Sequence, residues 1–470
     1  MYRWVTIIAL AGLAGCARFH PRPLSPAETA ASLDARSLDS PAFREFLEKN
    51  LRRQFDAWPP KSWDFEMLNL AALYYHPSLD VARAQWQVAL GGKITAAARP
   101  NPTASVEPGY DFNSTGLSPW LPLITFDIPL ETAGKRGYRK AQAQRLSESA
   151  RLNIATAAWQ VHSNLRASLI DFIAARQREQ LLQEQMSWQE KIVQSLEQRL
   201  QAGAVSRSEL TLVRIALEKI RLELTDAQRQ NAEARIRVAD AIGVSAKALE
   251  GLDLNYDLSV RPAVAAELAT ADAREQALRG RADILAALAE YAASQSALQL
   301  EIAKQYPDIH LGPGYQYDHG EHTFTLALTA ELPILNQNQG PIAEAAARRA
   351  ETAARFVALQ AKVITEIDRA VAAYRVTQNN LSTLEFLASA QERQTEAVAA
   401  QVQAGAVEPL DLLNSQIELG ASKLLQLDSR VKFQQAFATL EDAIQRPLDS
   451  IQPPLYEQSQ RPQAMKGTQP

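Results

Sequence analysis

The chain has 470 residues, long enough for two or three ordinary domains or for one elongated unit that is repeated. Its net charge of −4 gives no electrostatic reason to expect a nucleic-acid partner. Hydrophobic residues make up 46% and charged residues 22%, which indicates a folded chain, and a single cysteine excludes an internal disulfide.

Residues 1–15 are typical of an export signal peptide. A basic residue precedes the apolar run Trp4–Leu10, which is too short to span a bilayer, and small residues follow it. Leu13–Cys16 resembles the lipobox of bacterial lipoproteins, in which the cysteine is acylated and becomes the mature N-terminus. The alternative is an ordinary signal peptide cleaved elsewhere. We expect a lipid anchor at Cys16, followed by an irregular N-terminal tether over residues 16–62.

The remainder of the chain is duplicated. Gln201–Val205 recurs letter for letter as Gln403–Val407, and Pro108–Tyr110 recurs as Pro313–Tyr315. Matches in the same order and at a nearly constant offset indicate an internal repeat. The predicted segments are a first repeat at 63–243, a linker at 244–269, a second repeat at 270–447 and a disordered, Pro-containing tail at 448–470.

Both repeats predict the same order of elements: a helix of medium length, two strands, a very long helix, a glycine turn and a last helix. A helix of roughly 65 residues is about 100 Å long, far longer than a globular core requires. The first repeat predicts helix Trp63–Ala98, strands at about 103–112 and 121–130, and helices Gly134–Gln201 and Ser208–Ile242. The second predicts helix Ala271–Lys304, strands at about 308–317 and 322–332, and helices Gly340–Gln403 and Pro409–Gln445.

Two patterns describe how these elements pack. Apolar residues in Ser208–Ile242 follow a 3-4 spacing, which predicts a coiled-coil seam. In the last strand Phe324, Leu326 and Leu328 alternate with Thr323, Thr325, Ala327 and Thr329, which predicts a sheet with one apolar and one polar face. Strands of about ten residues suit an outer membrane, although a soluble four-stranded sheet would alternate too. Four strands cannot close around a lumen, so a membrane barrel would have to be shared between chains.

Motifs of catalysis are missing from the sequence. It contains no P-loop, dinucleotide-binding turn, HExxH or Ser/His/Asp arrangement, so we expect neither an enzyme nor a cofactor. One cluster is a candidate metal site, because two imidazoles and two carboxylates within five residues could bind zinc or copper: Asp318, His319, Glu321 and His322. The same residues also suit the polar turn that is expected between two strands.

The twofold order of helix, two strands, long helix, glycine turn and helix resembles the TolC-like outer-membrane efflux protein family, from about Trp63 to Pro447. Pro100–Pro102 and Leu130–Arg136 are similar to its CzcC-like branch, which is associated with heavy-metal RND efflux. The resemblance implies a mainly α fold with a small β part. It further implies a homotrimeric α-helical barrel, forming a long coiled-coil tunnel, above which a 12-stranded membrane β-barrel is shared, four strands per protomer.

The function implied is a passive export duct for solutes, including heavy-metal cations. It would be lipid-anchored among the lipids of the outer membrane of a Gram-negative bacterium, with its tunnel projecting into the periplasm. Its partners would be a periplasmic adaptor (membrane fusion protein) and an inner-membrane RND pump. The alternative from another class is a periplasmic coiled-coil lipoprotein with a structural or docking role.

The resemblance also assigns the repeated turns to the periplasmic tips, where the adaptor docks and the entrance opens. Glu209 and Asp411 follow the turns, and rings of such carboxylates would select cations at a gate. Both acids equally suit a helix N-terminus, and Asn414 stands where the family often has a second acid. The tip residues are Arg199, Gly203, Ala204, Val205, Ser206 and Arg207 in one turn and Gln403, Gly405, Ala406, Val407, Glu408 and Pro409 in the other.

Overall fold

The computed structural model describes residues 19–112, 118–260 and 270–448. The predicted signal peptide, Cys16 and residues 449–470 of the predicted tail lie outside the described residues. The elements of the first half are α1 (Pro26–Asp34), α2 (Pro41–Leu51), β1 (Ser62–Trp63), α3 (Phe65–Tyr75), α4 (Pro77–Ala97), β2 (Thr103–Tyr110), β3 (Trp120–Leu130), α5 (Lys135–Gln201) and α6 (Arg207–Ile242). Those of the second half are β4 (Asp253–Leu254), α7 (Thr270–Gly280), α8 (Ala282–Ala303), β5 (Ile309–Asp318), β6 (Glu321–Ala330), α9 (Gln339–Gln403) and α10 (Pro409–Ile444).

The medium helix of each repeat is two helices rather than the single one that the sequence predicts. In the first repeat the break falls at His76, which is extended because a following proline disfavours the helical conformation. The matching break in the second repeat falls at Arg281, which precedes no proline. There the buried guanidinium binds Asp283 and donates to the carbonyl of Ala443 at 2.7 Å, so tertiary contacts fix the break.

The N-terminal segment is not irregular as predicted, because residues 26–51 form α1 and α2. Ser25 and Ser40 cap these helices, and a proline occupies the first position of each, which is a common way to begin a helix. Phe43 is buried in the main core against Trp63. Arg36 donates to the carbonyls of Tyr75 and Gly243 at 2.7 and 2.8 Å, so this segment holds together the ends of α3 and α6.

The helices form one layer in which α5 runs the full length. Toward the sheet, α5 packs between α4 and α8, and α9 packs on the far side of α8. Toward the glycine turns, α5 packs between α6 and α10, and α9 packs on the far side of α10. The predicted coiled-coil seam of α6 is confirmed, since Leu210, Leu217 and Leu224 are buried in clusters with α5 residues. No helix within the described ranges combines the length and apolarity needed to cross a bilayer.

Four strands form a sheet in the order β2-β3-β5-β6, with all neighbours antiparallel, and β1 and β4 form a separate parallel pair. Cross-strand partners share a face, so the register sorts the side chains into two surfaces. One row across the sheet is Val106, Ile124, Tyr315 and Phe324, and the next row is Ser105, Thr125, Gly314 and Thr325. The alternation read from β6 therefore extends over all four strands, with one face apolar and the other small and polar.

A histidine lies deep in the core where α5 passes α3. His162 is bonded to Asn69 at 3.1 Å, and its ring packs against Trp159 and Phe65. Burial, reinforced by the positive charge of Arg166, lowers the pKa of His162 to about 3 from its ordinary value of 6.5. The folded protein therefore holds this imidazole neutral at pH values where the unfolded chain protonates it.

We expect His162 to make the protein less stable in mild acid. Between pH 6.5 and about 3 the unfolded state binds a proton that the folded state does not. The free energy of unfolding therefore decreases by up to about 1.4 kcal/mol for each unit by which the pH is lowered. His162→Gln should flatten that dependence, measured as the midpoint of thermal unfolding in detergent across pH 4–8. The exposed His20→Gln should leave the slope unchanged, and an equal effect of both variants would contradict the assignment.

A second prediction concerns Gly243, which ends α6 in a left-handed conformation with φ 84°. A methyl group there would lie 2.8 Å from the Cα of His76 and 3.0 Å from the carbonyl oxygen of Tyr75. Gly251 has φ 75° but open space around it. Gly251→Ala should cost about 1–2 kcal/mol for the backbone conformation alone, and Gly243→Ala roughly 1–3 kcal/mol more. Equal thermal midpoints for the two variants would show that α3 and α6 are not tightly packed at this joint.

Candidate functional site

The two repeated turns have the same backbone geometry. Gly203 and Gly405 adopt the left-handed conformation, with φ 74° and 71°. In each turn the residue after the glycine donates its amide to a carbonyl five positions back, at 2.8 Å for Ala204 and 2.9 Å for Ala406. These bonds satisfy the last carbonyls of a helix, as in a Schellman turn, and glycine reaches this conformation without strain. The repeated sequence therefore produces the same reversal of the chain twice.

Both following helices begin with a side-chain cap, and the cap at the first turn is reciprocal. Ser206 accepts the amide of Glu209 at 3.2 Å, and the Glu209 carboxylate accepts the amide of Ser206 at 2.9 Å. In the second turn the Asp411 carboxylate accepts the amide of Glu408 at 3.1 Å, and Pro409 occupies the first helical position. Such capping boxes satisfy backbone donors that a helix start leaves free. Glu209 and Asp411 therefore cap their helices in the structure. Their role in a cation gate stays a proposal.

The structure brings the two turns side by side. Arg199 donates to the carboxylate of Glu408 at 2.7 Å, which links the end of α5 to the start of α10. Behind this ion pair, Leu410 and Leu413 pack against the buried cluster that contains Leu196 and Leu210. The predicted tip residues of both repeats therefore form one continuous surface at the end of the molecule farthest from the sheet.

The hairpin cluster at residues 318–322 does not converge on one point. His319 and Gly320 form a two-residue turn with positive φ, so Asp318 pairs directly with Glu321, while His322 belongs to the opposite, apolar face. His322 bonds instead to the hydroxyl of Tyr315 at 2.8 Å. Within the described residues no group of three or more His, Cys, Asp or Glu side chains is arranged to hold a metal ion. The expectation of a zinc or copper site here therefore has no geometric support.

A polar pair that the sequence analysis missed lies on the other face of the sheet. Nδ1 of His310 on β5 is 2.9 and 3.0 Å from the two carboxylate oxygens of Asp127 on β3. The pair lies at the end of the sheet that joins the helices, since β5 begins at Ile309 and β3 ends at Leu130. The two residues are 183 positions apart in the chain, and only the register of β3 against β5 reveals their contact.

At the same end of the sheet a buried lysine joins the two repeats. The Nζ of Lys135 donates to the carboxylate of Asp308 at 2.8 Å and to the carbonyl of Tyr306 at 2.6 Å. The amide of Thr132 donates to the same Asp308 carboxylate at 2.9 Å. Lys135 and Thr132 belong to the strand-to-helix joint of the first repeat and Asp308 to the helix-to-strand joint of the second. The sheet is thereby fixed to the helical layer by contacts between the repeats.

A duplicated unit of long paired helices, continued by a two-faced sheet, defines the class of TolC-type channel subunits. The family model of the outer membrane efflux protein matches the chain twice, over residues 71–244 and 273–445. The chain belongs to the outer membrane efflux protein family.

Individual relatives are distant in sequence and similar in fold. The cobalt-zinc-cadmium resistance protein CzcC of Cupriavidus metallidurans is 23% identical over 373 residues, which cover 78% of this chain and 87% of CzcC. The outer membrane protein VceC of Vibrio cholerae superposes with a TM-score of 0.67 at 17% identity, covering 87% of this chain and all of VceC. The CmeC outer membrane channel of Campylobacter jejuni has a TM-score of 0.67 at 15% identity, covering 84% of this chain and 89% of CmeC.

The capping geometry at the first turn generates a prediction. Ser206→Ala removes the side chain that accepts the Glu209 amide and should destabilise the start of α6 by about 1 kcal/mol. Hydrogen exchange should then accelerate several-fold at the first amides of α6 and stay unchanged in the middle of the helix. Ser208→Ala, two residues further on and exposed, is the matched control. Faster exchange in both variants would show that Ser206 has no special capping role.

Proposed function

We propose that this chain is the outer-membrane channel of a tripartite efflux system, working as a homotrimer that exports solutes passively. The observation that carries the proposal is the two-faced sheet. Phe324, Leu326 and Leu328 are 79%, 70% and 69% exposed on its apolar face. A sheet face of this kind is costly in water and suits the hydrocarbon of a bilayer. The opposite face, rich in threonine and glycine, suits the lining of a water-filled lumen.

The sheet also has two edges that need partners. β2 and β6 each pair with one neighbour, so each presents a row of unpaired backbone groups. In three copies arranged around an axis, β6 of one protomer would pair with β2 of the next. That arrangement supplies twelve strands, which is enough to enclose a lumen, whereas four strands are not.

The helical layer supports the same arrangement. Its outer helices are α4 and α6 on one side and α9 on the other. These helices carry large apolar side chains that are exposed in a single protomer: Val88, Ile94, Ile215, Leu222, Val376 and Phe386. The two sides differ, so the contact would be head to tail, and such contacts close into a ring when the rotation between copies divides a full turn. Both the strand edges and the exposed outer helices therefore favour a second copy of the chain as the binding partner.

The remaining assignments belong to the same proposal. The lipidation of Cys16 would anchor the N-terminal segment to the outer membrane, in support of the barrel. The paired turns, at the far end from the sheet, would receive a periplasmic adaptor and face an inner-membrane RND pump. The similarity to a protein named for cobalt, zinc and cadmium resistance supports heavy-metal cations as the exported solutes. In a trimer, Glu209 and Asp411 would line the entrance as well as cap their helices.

The decisive measurement is single-channel conductance of the purified protein in a planar bilayer, with two variants of one residue. Asp411→Asn keeps an acceptor for the Glu408 amide but removes the charge, whereas Asp411→Ala removes both. If Asp411 lines the entrance, both variants should lower the preference for cations over anions, because the ring of charge is lost. If Asp411 only caps α10, Asp411→Asn should behave as wild type.

Glu209→Gln is the matched change at the other turn. Discrete conductance steps in any of these proteins would support a pore. A complete lack of steps in the wild type, in all three variants and in Leu413→Ala, which weakens the apolar packing of the entrance, would contradict the channel proposal.

A further inference from the structure

We propose that His310, oriented by Asp127, gives the channel a weak binding site for borderline divalent cations such as zinc and cobalt. This inference rests on the proposed function, because it takes the polar face of the sheet as the lining of the duct.

The contact with Asp127 determines which nitrogen of His310 is available. A carboxylate at neutral pH only accepts hydrogen bonds, so Nδ1, at 2.9 and 3.0 Å from its oxygens, must carry the proton. In the neutral imidazole Nε2 then keeps its lone pair. In the portions of the chain that the structure describes, the side-chain hydrogen bonds of His310 all involve Nδ1, and Nε2 has none.

This arrangement is the one that metal-binding histidines use. A histidine ligand commonly donates its second ring N–H to a carboxylate, which fixes the tautomer and increases the basicity of the ligating nitrogen. Imidazole suits zinc, cobalt, nickel and copper, whereas magnesium and calcium prefer oxygen ligands. Asp127 would therefore be a positioning residue, and Nε2 of His310 the ligand.

The surroundings leave space for a hydrated ion. His310 pairs across the sheet with Thr329 on β6, whose hydroxyl offers an oxygen on the same face. Gly312, two residues along β5, contributes no side chain next to the imidazole. The side chains of His310 and Asp127 are 39% and 48% exposed, so water can supply the remaining ligands. One protein nitrogen with bound water gives weak binding, and weak binding is what passage through a pore requires.

The histidines of the hairpin lack this arrangement. His319 uses both ring nitrogens, with Nδ1 2.5 Å from Asp318 and Nε2 3.2 Å from Asp111. His322 points its Nδ1 to the Tyr315 hydroxyl and lies on the apolar face. His322 is therefore the matched control, since it is on the same strand pair but faces away from the proposed lumen.

The first test measures Zn²⁺ binding to the purified full-length protein in detergent by equilibrium dialysis, with Mg²⁺ as the comparison ion. Wild type should bind one more Zn²⁺ per protomer than His310→Ala. Asp127→Asn should weaken that site about tenfold, as the loss of a carboxylate behind a histidine ligand typically does. His322→Ala should match wild type, and Mg²⁺ should bind all four proteins alike. Equal Zn²⁺ binding by wild type and His310→Ala, or equal losses in His310→Ala and His322→Ala, would overturn the proposal.

The second test records single-channel currents with Zn²⁺ added. Zn²⁺ should reduce or interrupt the wild-type current, and His310→Ala should need at least about tenfold more Zn²⁺ for the same effect. Currents that respond to Zn²⁺ identically in both proteins would refute the inference and leave the channel proposal intact. A lack of any current would count against the channel proposal, and the dialysis result would then still decide whether His310 binds the ion.

Discussion

The packing of α5 against helices of both repeats is the contact on which the rest of the molecule depends. In the half of α5 that leads to the glycine turns, one side of the helix packs against α6 of its own repeat. The other side packs against α10 of the second repeat. The second contact combines apolar packing with buried charges. The buried Arg166 pairs with Glu441 while its guanidinium lies between the rings of Phe65 and Phe437, and further along the helices Arg178 pairs with Asp428. Gly420 lies directly on Gln185, where a larger residue would separate the two helices.

A buried charge pair of this kind contributes specificity rather than large stability. Glu441 is satisfied a second time by the amide of Leu448, at 2.7 Å, so its position depends on the chain segment that follows α10. A slip of α10 along α5 by one turn would leave Arg166 and Glu441 buried without partners, at a cost of several kcal/mol. The ion pair thereby fixes the position of one repeat relative to the other along the helix axes. That axial position in turn determines whether β3 meets β5 in register and whether the two glycine turns end at the same level.

Sequence patterns describe the long elements well and the contacts between distant elements poorly. Strong periodicity identifies the long helices and the strands, whose ends in the structure differ from the predicted ones by no more than two residues. The irregular tether predicted for residues 16–62 is wrong at α1 and α2, where Ser25-Pro26 and Ser40-Pro41 begin helices, because a proline at the first helical position starts a helix rather than breaking it. The break at Arg281 has only Gly280 as a local signal and depends on distant contacts with Glu366 and Ala443.

The contrast between local sequence patterns and distant contacts also explains which candidate sites can be recognised from the sequence. Residues 318–322 are adjacent in sequence and therefore easy to notice, but the period-2 alternation of a strand sends His322 to the face opposite Glu321. His310 and Asp127 are far apart in sequence, and each alone is an unremarked polar residue in a strand. Residues that are adjacent in one strand lie on opposite faces of the sheet and therefore do not form one site. Residues that are paired by register across strands share a face and can form one. A search for sites in a sheet protein should pair residues by register before it groups them by sequence.

The turns show how one set of residues can serve stability and proposed function together. Glu408 accepts a hydrogen bond from Arg199 and is linked through its amide to Asp411, so the ion pair between the repeats and the cap of α10 share one residue. Separation of α10 from α5 at the proposed entrance would break an exposed ion pair, which costs about 0–1 kcal/mol, while both caps stay intact. The apolar cluster of Leu196, Leu210 and Leu413 would resist the movement more strongly. An entrance built in this way would remain closed through apolar packing and would open when a partner covers the separated surfaces.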